Sequence, residues 1–305
     1  MPARCVERSP LRVTPEACAD PDQAEPMVTA SDLLRISFQA THGVGLTKLG
    51  GECLRRLVSA PELLLNGARI WLKDQPGHRV ALIESESSAV PGMWCCKATR
   101  TRSWWVRVIT SFATFRSRNA FHQGRALLLA AVTTPQPLVV ISSTCQGAYH
   151  EYLLTAAVPE SVSLQSWLVE PSREKTPEEF QQRCNIARCL AIQIQRLHRH
   201  RFDHRDLKPT NILLSVSADK LTVWLIDLDG VWRWPVLLPS PRRIQNLARL
   251  WAGVALTSNV TPTDALRFLL AYLPPEQRGN WKPLWRRVAR LAAIKISRKP
   301  RPPGQ

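Results

Sequence analysis

The sequence predicts an α+β chain of two lobes, a small strand-rich lobe followed by a helical one. In the first half of the 305 residues, short apolar and β-branched runs lie between turn-forming residues, which is typical of strands. In the second half, apolar residues recur at helical spacing. We therefore expect a structured domain at residues 31–157 and another at residues 158–305, joined near residues 156–162.

The amino terminus and the bulk composition narrow the class of protein. Residues 1–30 hold five prolines and few large apolar side chains, so we expect a disordered tail there. The absence of a run of about 18 apolar residues and of a signal-peptide pattern argues against a transmembrane helix and a signal peptide. The eight cysteines form no C-x-x-C pair, which indicates a reducing, cytoplasmic location without zinc sites.

The net charge of +17 is the most unusual bulk property. It indicates an acidic partner, which could be nucleic acid, an anionic membrane surface or a phosphorylated substrate. Residues 281–305 contain eight Lys or Arg and no carboxylate, and residues 88–150 contain seven and no Asp or Glu. No zinc-finger, RNP or homeodomain pattern accompanies the charge, so nucleic acid is the least favoured partner.

The first half contains five short segments of strand composition. They lie at residues 69–74, 79–83, 93–97, 137–141 and 152–155. A turn-forming triplet at residues 75–77 separates the first two segments. Residues 121–131 have helical composition. Residues 31–60 are ambiguous, and residues 103–114 fit either a helix or an irregular loop.

The second half opens with a clear helix start. Thr176 is a suitable N-cap, Pro177 follows at the first helical position, and the next two residues are acids. Apolar residues then recur at helical spacing to residue 197. We predict a strand at residues 221–226 and further helices at residues 243–252, 263–273 and 284–297.

An eight-residue motif, H-R-D-L-K-P-T-N at residues 204–211, follows the long helix. Phosphoryl transfer requires an aligned nucleophile, metal ions on the phosphates and a cation beside the nucleotide. The spacing is that of a kinase catalytic loop, in which Asp206 would accept the proton of the attacking hydroxyl and Asn211 would bind Mg²⁺. Lys208 could reach the transferring phosphoryl group and offset its charge.

A second acidic motif, D-L-D-G at residues 227–230, comes directly after the predicted strand. Kinases place their magnesium-binding D-F-G at this point, so Asp227 is the expected Mg²⁺ ligand. Asp229 replaces the usual glycine and could be a second metal ligand or could orient the loop. Helix, motif, strand and acid come in the order of a bilobal protein-kinase-like fold, which we prefer to a set of turn-capping acids.

The features expected of the amino-terminal lobe are fewer. Lys97 ends the strand at residues 93–97, where kinases keep the lysine that contacts the α- and β-phosphates of ATP. Only Gly77 lies between the first two strands, so no G-x-G-x-x-G phosphate loop is present.

The acid that kinases pair with this lysine is absent from the next helix. No Asp or Glu occurs between Lys97 and Glu151. Three alternatives remain open: the phosphates alone hold Lys97, Gln123 or a residue from elsewhere replaces the glutamate, or efficient catalysis is lost. Our prediction is that Lys97 finds its counter-charge in the nucleotide.

The chain resembles the lipopolysaccharide core kinases, the family of Kdo and heptose kinases that share the protein-kinase fold. The resemblance runs from about residue 71 to residue 293. Its blocks lie at residues 71–74, 96–97, 117–128, 134–138, 154–159, 225–231 and 242–250. The string I-D-L-D-G-V at residues 226–231 is more specific than the catalytic loop alone, whereas Ala120 stands where many relatives carry the helix glutamate.

This resemblance implies ATP and Mg²⁺ as cofactors and a sugar hydroxyl of an anionic, lipid-linked core acceptor as substrate. It also implies a position at the inner face of the cytoplasmic membrane. A pseudokinase or scaffold is the main alternative, because the helix glutamate and the glycine loop are missing. A kinase acting on a protein or a soluble small molecule would use the same catalytic residues.

The predicted carboxy-terminal helix is amphipathic and basic. Leu284, Trp285, Val288 and Leu291 share one face, and arginines flank it. Such a helix fits a bilayer surface, and we expect it to favour anionic membranes. The alternative is that this face packs on the carboxy-terminal lobe and that its arginines are simply solvated.

Overall fold

The computed structural model describes residues 32–102, 116–145, 148–169, 176–218, 220–255, 257 and 260–298. The tail predicted at residues 1–30 and the ambiguous segment 103–114 lie outside these ranges. A seven-stranded antiparallel sheet occupies the first half, and helices with two small sheets follow. The prediction of an α+β chain with a strand-rich front and a helical back is confirmed.

The strands of the first sheet come from one continuous half of the sequence. Their bounds are β1 Leu33–Phe38, β2 Thr41–Leu46, β3 Ala68–Gln75, β4 His78–Glu84, β5 Met93–Arg102, β6 Pro137–Cys145 and β7 Ala148–Ala156. Their order in the sheet is β1-β2-β6-β7-β5-β4-β3. The five predicted strands are all present, and β5 continues five residues beyond the predicted end at Lys97.

The remaining strands form two small sheets around the catalytic motif. Their bounds are β8 Val162–Ser163, β9 Phe202–His204, β10 Ile212–Ser217, β11 Lys220–Leu225 and β12 Val231–Arg233. One sheet has the order β11-β10-β8, and the other pairs β12 with β9. Strand β10 was not predicted from the sequence, although its pairing with β11 is what places the motif beside the second acidic segment.

Most helices of the described residues lie in the second half of the chain. Their bounds are α1 Gly51–Ser59, α2 Arg116–Leu129, α3 Leu164–Val169, α4 Pro177–Arg199, α5 Ser240–Val254, α6 Pro262–Tyr272 and α7 Trp281–Ser297. The predicted N-cap of α4 is confirmed, since the Thr176 hydroxyl accepts a hydrogen bond from the Glu179 amide at 3.2 Å. None of these helices has the length and apolar character to cross a membrane.

Residues 31–60, which the sequence left ambiguous, contain a hairpin and a helix packed on it. Helix α1 buries Leu54 and Val58 against strand β2. A Cβ on Gly43 would lie 2.3 Å from a methyl of Val58, and one on Gly45 would lie 2.4 Å from a methyl of Leu54. Glycine at these two positions therefore lets the helix approach the strand closely.

Helix α2 is held against the carboxy-terminal lobe by a similar close approach. A Cβ on Gly124 would lie 2.5 Å from the Pro137 ring and 3.1 Å from a methyl of Leu228. Leu228 follows directly after the predicted magnesium ligand Asp227. This packing therefore fixes the distance between α2 and the second acidic motif.

The proposed membrane-facing role of the apolar face of α7 is wrong. Val288 is fully buried, and Leu284, Trp285 and Leu291 pack against the core of the carboxy-terminal lobe. The Trp285 ring meets the Trp251 ring of α5 edge-on, with centroids 4.8 Å apart. The arginines of α7 remain exposed. An amphipathic pattern does not distinguish a helix that lies on a bilayer from a helix that packs on a protein core. In this protein the apolar face of α7 packs on the core.

Replacement of Trp285 tests this packing. We expect Trp285→Ala to lower the free energy of unfolding by about 2 kcal/mol, because a half-buried ring and its aromatic contact are lost. The matched control is Arg286→Ala, an exposed neighbour whose removal should change stability by less than about 0.5 kcal/mol. Urea unfolding measures both. Equal stability of the two variants would contradict the packing of α7 on α5.

Candidate active site

The catalytic motif forms a tight loop closed by its own side chains. The Asn211 amide nitrogen donates to the Asp206 carbonyl at 2.9 Å and to the Asp206 carboxylate at 3.0 Å. The Lys208 ammonium donates to the same carboxylate oxygen at 2.6 Å. The structure therefore brings all three predicted residues of this loop together, with the Asp206 carboxylate half-exposed.

Buried polar residues position this loop from beneath. The backbone amide of His204 donates to the Asn246 side chain at 2.9 Å, and Asn246 in turn donates to the Asp203 carboxylate at 2.6 Å. The His204 Nε2 lies 3.2 Å from the Ile226 carbonyl, and burial keeps the pKa of His204 below its ordinary value. A neutral His204 that donates to Ile226 therefore links the catalytic loop to the acidic motif. The sequence did not indicate the role of Asn246.

The second acidic motif begins with a backbone turn. Asp227 has a φ of +60° in the left-handed region, which turns the chain sharply after strand β11. The Ile226 amide donates to the Asn211 carbonyl at 3.0 Å, so Asp227 starts beside Asn211. The predicted metal ligands Asp227 and Asn211 are therefore neighbours in space.

Lys97 joins the first sheet to this motif. Its ammonium lies 2.8 Å from a carboxylate oxygen of Asp227 and 2.7 Å from one of Asp229. Burial alone would lower the pKa of Lys97, but the charges of Asp229 and Asp227 raise it above its ordinary value. Burial would likewise raise the pKa of Asp227, and the charge of Lys97 holds it below its usual range. Each group therefore stabilises the charged form of the other.

The expectation that Lys97 depends on the nucleotide for its counter-charge is wrong. Two carboxylates from residues 130 and 132 positions further along the chain supply it. Gln123, another alternative, instead donates to the Asn119 side chain at 3.4 Å. Pairing between distant parts of a chain leaves no local sequence pattern, which is why the sequence did not reveal it.

Two further residues near Lys97 were not predicted. Asn119 of α2 donates to the Asp229 carbonyl at 3.4 Å and to the Val231 carbonyl at 3.1 Å. Glu151 of β7 is buried, and its carboxylate accepts from the Ser117 amide at the start of α2 at 3.4 Å. Burial raises the pKa of Glu151 above its ordinary value, and the nearby charge of Asp229 adds to this shift.

The strand pairing places Glu151 and Lys97 on one face of the sheet. Strands β5 and β7 pair Lys97 with Leu153 and Thr99 with Glu151. Lys97 and Glu151 are therefore diagonal neighbours, with Cα atoms about 7–8 Å apart, which is within reach of long side chains. The helix position that lacks the usual glutamate, Ala120, is buried nearby in α2.

The hairpin between β3 and β4 has no glycine-rich loop. Its two-residue turn consists of Pro76 and Gly77, with Gly77 at a φ of +82°. The Gly77 carbonyl accepts from the Arg100 amide of β5 at 3.0 Å. This two-residue turn is therefore too short to form a glycine-rich phosphate loop.

Comparison with known families decides what this arrangement belongs to. Residues 99–272 match the model of the lipopolysaccharide kinase (Kdo/WaaP) family, a span of more than half of the 305 residues. The chain belongs to this family. It is therefore a kinase phosphotransferase, and the family expected from the sequence is confirmed. Lys97 lies two residues before the matched span.

A solved structure confirms the fold of this lipopolysaccharide kinase. The structure of WaaP in complex with acyl carrier protein is 20% identical, with a TM-score of 0.55, and the match covers 76% of this chain and 91% of that chain. The PknI kinase domain of Mycobacterium tuberculosis, solved as a double mutant, is 13% identical with a TM-score of 0.41 over 73% of this chain and 95% of that chain. The second match is too distant to support a conclusion. No curated protein sequence matches the chain.

The acidic residues fit a magnesium ion. No cluster of three His, Cys, Asp or Glu side chains occurs in the described part of the chain. Mg²⁺ in kinase sites needs only one or two carboxylates besides substrate phosphates and water. Asp227 and Asp229 supply two hard oxygen donors, and the Asn211 backbone adjoins Ile226, the residue before Asp227. The ammonium of Lys97 between both carboxylates shows that a cation is already accommodated at this point.

The Lys97 contacts give a pH-dependent prediction for the protein without added nucleotide. Lys97→Met should lower the free energy of unfolding at pH 7 by about 1–2 kcal/mol, a figure discounted because the side chains are partly exposed. The lowered pKa of Asp227 means that this contribution is present above about pH 4 and is lost as the pH falls through the folded-state pKa. The difference between parent and variant should therefore narrow in acid.

Urea unfolding at pH 7 and at pH 3 checks this prediction. The control is Lys73→Met, which removes an exposed lysine from β3 and should change stability by less than about 0.5 kcal/mol at either pH. A Lys97→Met difference that stays constant with pH would rule out an ionic origin.

Proposed function

We propose that this kinase transfers the γ-phosphate of ATP to a sugar hydroxyl, of Kdo or heptose, in a lipid A–core acceptor. The observation that carries the proposal is the juxtaposition of the Asp206 carboxylate with the Lys97, Asp227 and Asp229 cluster. Phosphoryl transfer needs a group that accepts the proton of the attacking hydroxyl and groups that neutralise the charge of the phosphates, directly or through a metal ion. Asp206 is suited to the first role and the cluster to the second.

Asp206 is the proposed catalytic base. Its carboxylate accepts the proton of the sugar hydroxyl while the hydroxyl oxygen bonds to the γ-phosphorus and the bond to the ADP leaving group breaks. Asn211 and Lys208 both donate to this carboxylate, which fixes its direction. Lys208 is also the cation that would turn toward the phosphoryl group and offset its charge.

Asp227 and Asn211 are the proposed residues for Mg²⁺, with Asp229 as an additional carboxylate. Bound there, the ion neutralises charge on the phosphates. Both acids are paired with Lys97, so a divalent cation held by them would weaken or replace these contacts. A charge of +2 attracts the two carboxylates more strongly than an ammonium at the same distance, which favours the exchange.

Glu151 is the proposed partner of Lys97 after this exchange. Lys97 then contacts the α- and β-phosphates of ATP, and Glu151 on the neighbouring strand supplies the acid that α2 lacks. This role is supported by the burial of Glu151 and by its diagonal position on the sheet. Glu151 is a positioning residue in this scheme, because it acts through Lys97.

The proposed acceptor is anionic and lipid-linked, which suits a chain of net charge +17 and a position at the inner face of the cytoplasmic membrane. The solved WaaP structure contains acyl carrier protein. We include a carrier protein of this kind among the proposed partners of this chain. Neither proposal requires nucleic acid.

The first functional prediction concerns Asp206 and the acceptor. With labelled ATP, Mg²⁺ and purified lipid A–core, Asp206→Asn should reduce turnover by about 10²–10⁴-fold while ATP affinity stays near that of the parent. Thr210→Ala, in the same loop but exposed, is the control and should retain activity. A protein acceptor is supplied in parallel. Label found only on that protein would refute the core-sugar acceptor.

The second functional prediction concerns Glu151. Glu151→Gln should weaken Mg-ATP binding about tenfold, because Lys97 loses its acid in the bound state. In a Lys97→Met background the same change should have little further effect, since the two residues act as a unit. Calorimetric titration of the parent, both single variants and the double variant measures this coupling. Additive losses would show that Glu151 only holds the start of α2 through Ser117.

A further inference from the structure

An exposed apolar segment follows the second acidic motif. Val236 and Leu237 are 66% and 74% exposed, and Trp232 is 50% exposed, although all three are large apolar side chains. Residues 235–237, here called the apolar tip, project between strand β12 and helix α5. Clustered exposed apolar residues of this kind mark a contact surface more often than a solvated one.

The tip is held at both ends by ordered contacts. The Trp234 amide donates to the Arg201 carbonyl at 2.9 Å, and the Arg201 guanidinium donates to the Pro235 carbonyl at 2.6 Å. Leu238 is buried, and its carbonyl accepts from the Arg243 side chain at 3.2 Å. These contacts fix the base of the segment and leave its apolar side chains presented outward.

Four arginines lie near His200, and one of them, Arg201, contacts the base of the tip. Arg196, Arg199, Arg201 and Arg233, here called the arginine rim, all lie close enough to His200 to act on its charge. Burial, followed by these four positive charges, lowers the pKa of His200. The Arg233 guanidinium also lies over the buried Phe202 ring, 5.4 Å from its centroid. Apolar side chains inside a rim of positive charge match the headgroup boundary of an anionic bilayer.

A short strand pair connects the tip to the active site. Strands β9 and β12 pair Phe202 with Arg233 and His204 with Val231. One end of this strand pair leads to Asp206 and Asp229, and the other leads to the arginine rim and the tip. Three residues of strand span about 10 Å, so the strand pair itself separates its two ends by about that distance.

We propose that the apolar tip and the arginine rim form the surface by which this kinase binds an anionic lipid bilayer. The proposal rests on the proposed function in one respect, since a lipid-linked acceptor gives the contact its purpose. The exposed tip replaces the apolar face of α7, which is packed on α5 and cannot insert. Trp232 adds a ring of the kind that favours membrane interfaces.

Vesicle sedimentation of the full chain tests the proposal without catalysis. The parent should bind phosphatidylglycerol-containing vesicles and bind pure phosphatidylcholine vesicles at least about fivefold more weakly, with the difference shrinking as salt rises. The double variant V236Q/L237Q should lose about tenfold in binding, because its tip no longer buries apolar surface in the bilayer. R199Q/R233Q should lose the preference for anionic lipid.

Two matched controls locate the surface. L63Q/L72Q removes two exposed leucines of the amino-terminal lobe, and R286Q/R290Q removes two exposed arginines of α7. Both should bind vesicles as the parent does. Loss of binding in R286Q/R290Q with normal binding in V236Q/L237Q would overturn the proposal in favour of α7. Absence of vesicle binding by the parent would overturn it too.

A last measurement separates this proposal from the proposed function. Phosphate transfer to a deacylated, soluble core oligosaccharide should be the same in V236Q/L237Q and in the parent, whereas transfer to the vesicle-bound acceptor should fall with vesicle binding. Vesicle binding that depends on the tip, combined with no transfer to any core sugar, would reject the acceptor and retain the membrane surface. Equal transfer to the vesicle-bound acceptor by both proteins would reject the membrane surface.

Discussion

The contacts of Lys97 with Asp227 and Asp229 connect the first sheet to the catalytic segment, and the geometry of the active site depends on them. Lys97 comes from β5, whereas both aspartates follow β11, so the three charges join the two halves of the chain. Helix α2 carries no acid, and it contacts the same segment through the Asn119 amide and the packing of Gly124 on Leu228. These ion pairs thus hold Lys97 in place, as the pair between the strand lysine and the helix glutamate does in other kinases.

The proposed use of the same two acids for the lysine and for a metal ion would have a mechanical consequence. Binding of Mg²⁺ and ATP at these acids would compete with the contact between the two halves. Asn246, Asp203 and His204 hold the loop of Asp206 from within the carboxy-terminal core. These contacts do not involve Lys97.

The sequence predicted those features of the site that depend on local order. The H-R-D-L-K-P-T-N motif, the acids after β11 and the lysine on β5 follow from spacing along one segment each, and the structure brings them together. The partners of Lys97 could not be predicted, because ionic pairing between residues far apart in sequence has no periodicity. Strand β2 was missed because Gly43 and Gly45 weaken its strand pattern, although these glycines let helix α1 approach closely.

Amphipathic and basic segments show most clearly why burial must be known before function is inferred. The face of α7 and the segment at residues 232–237 both carry apolar side chains with arginines nearby. Trp285 on the face of α7 packs against Trp251, whereas Trp232, Val236 and Leu237 are exposed. Apolar surface that is buried in the folded protein stabilises the fold and is not available for binding a partner. Exposed apolar surface can still lower the free energy of a complex when a partner buries it. The exposed segment and Asp206 follow opposite ends of the pair formed by β9 and β12, so a partner bound at the segment would lie one short strand pair away from the proposed catalytic carboxylate.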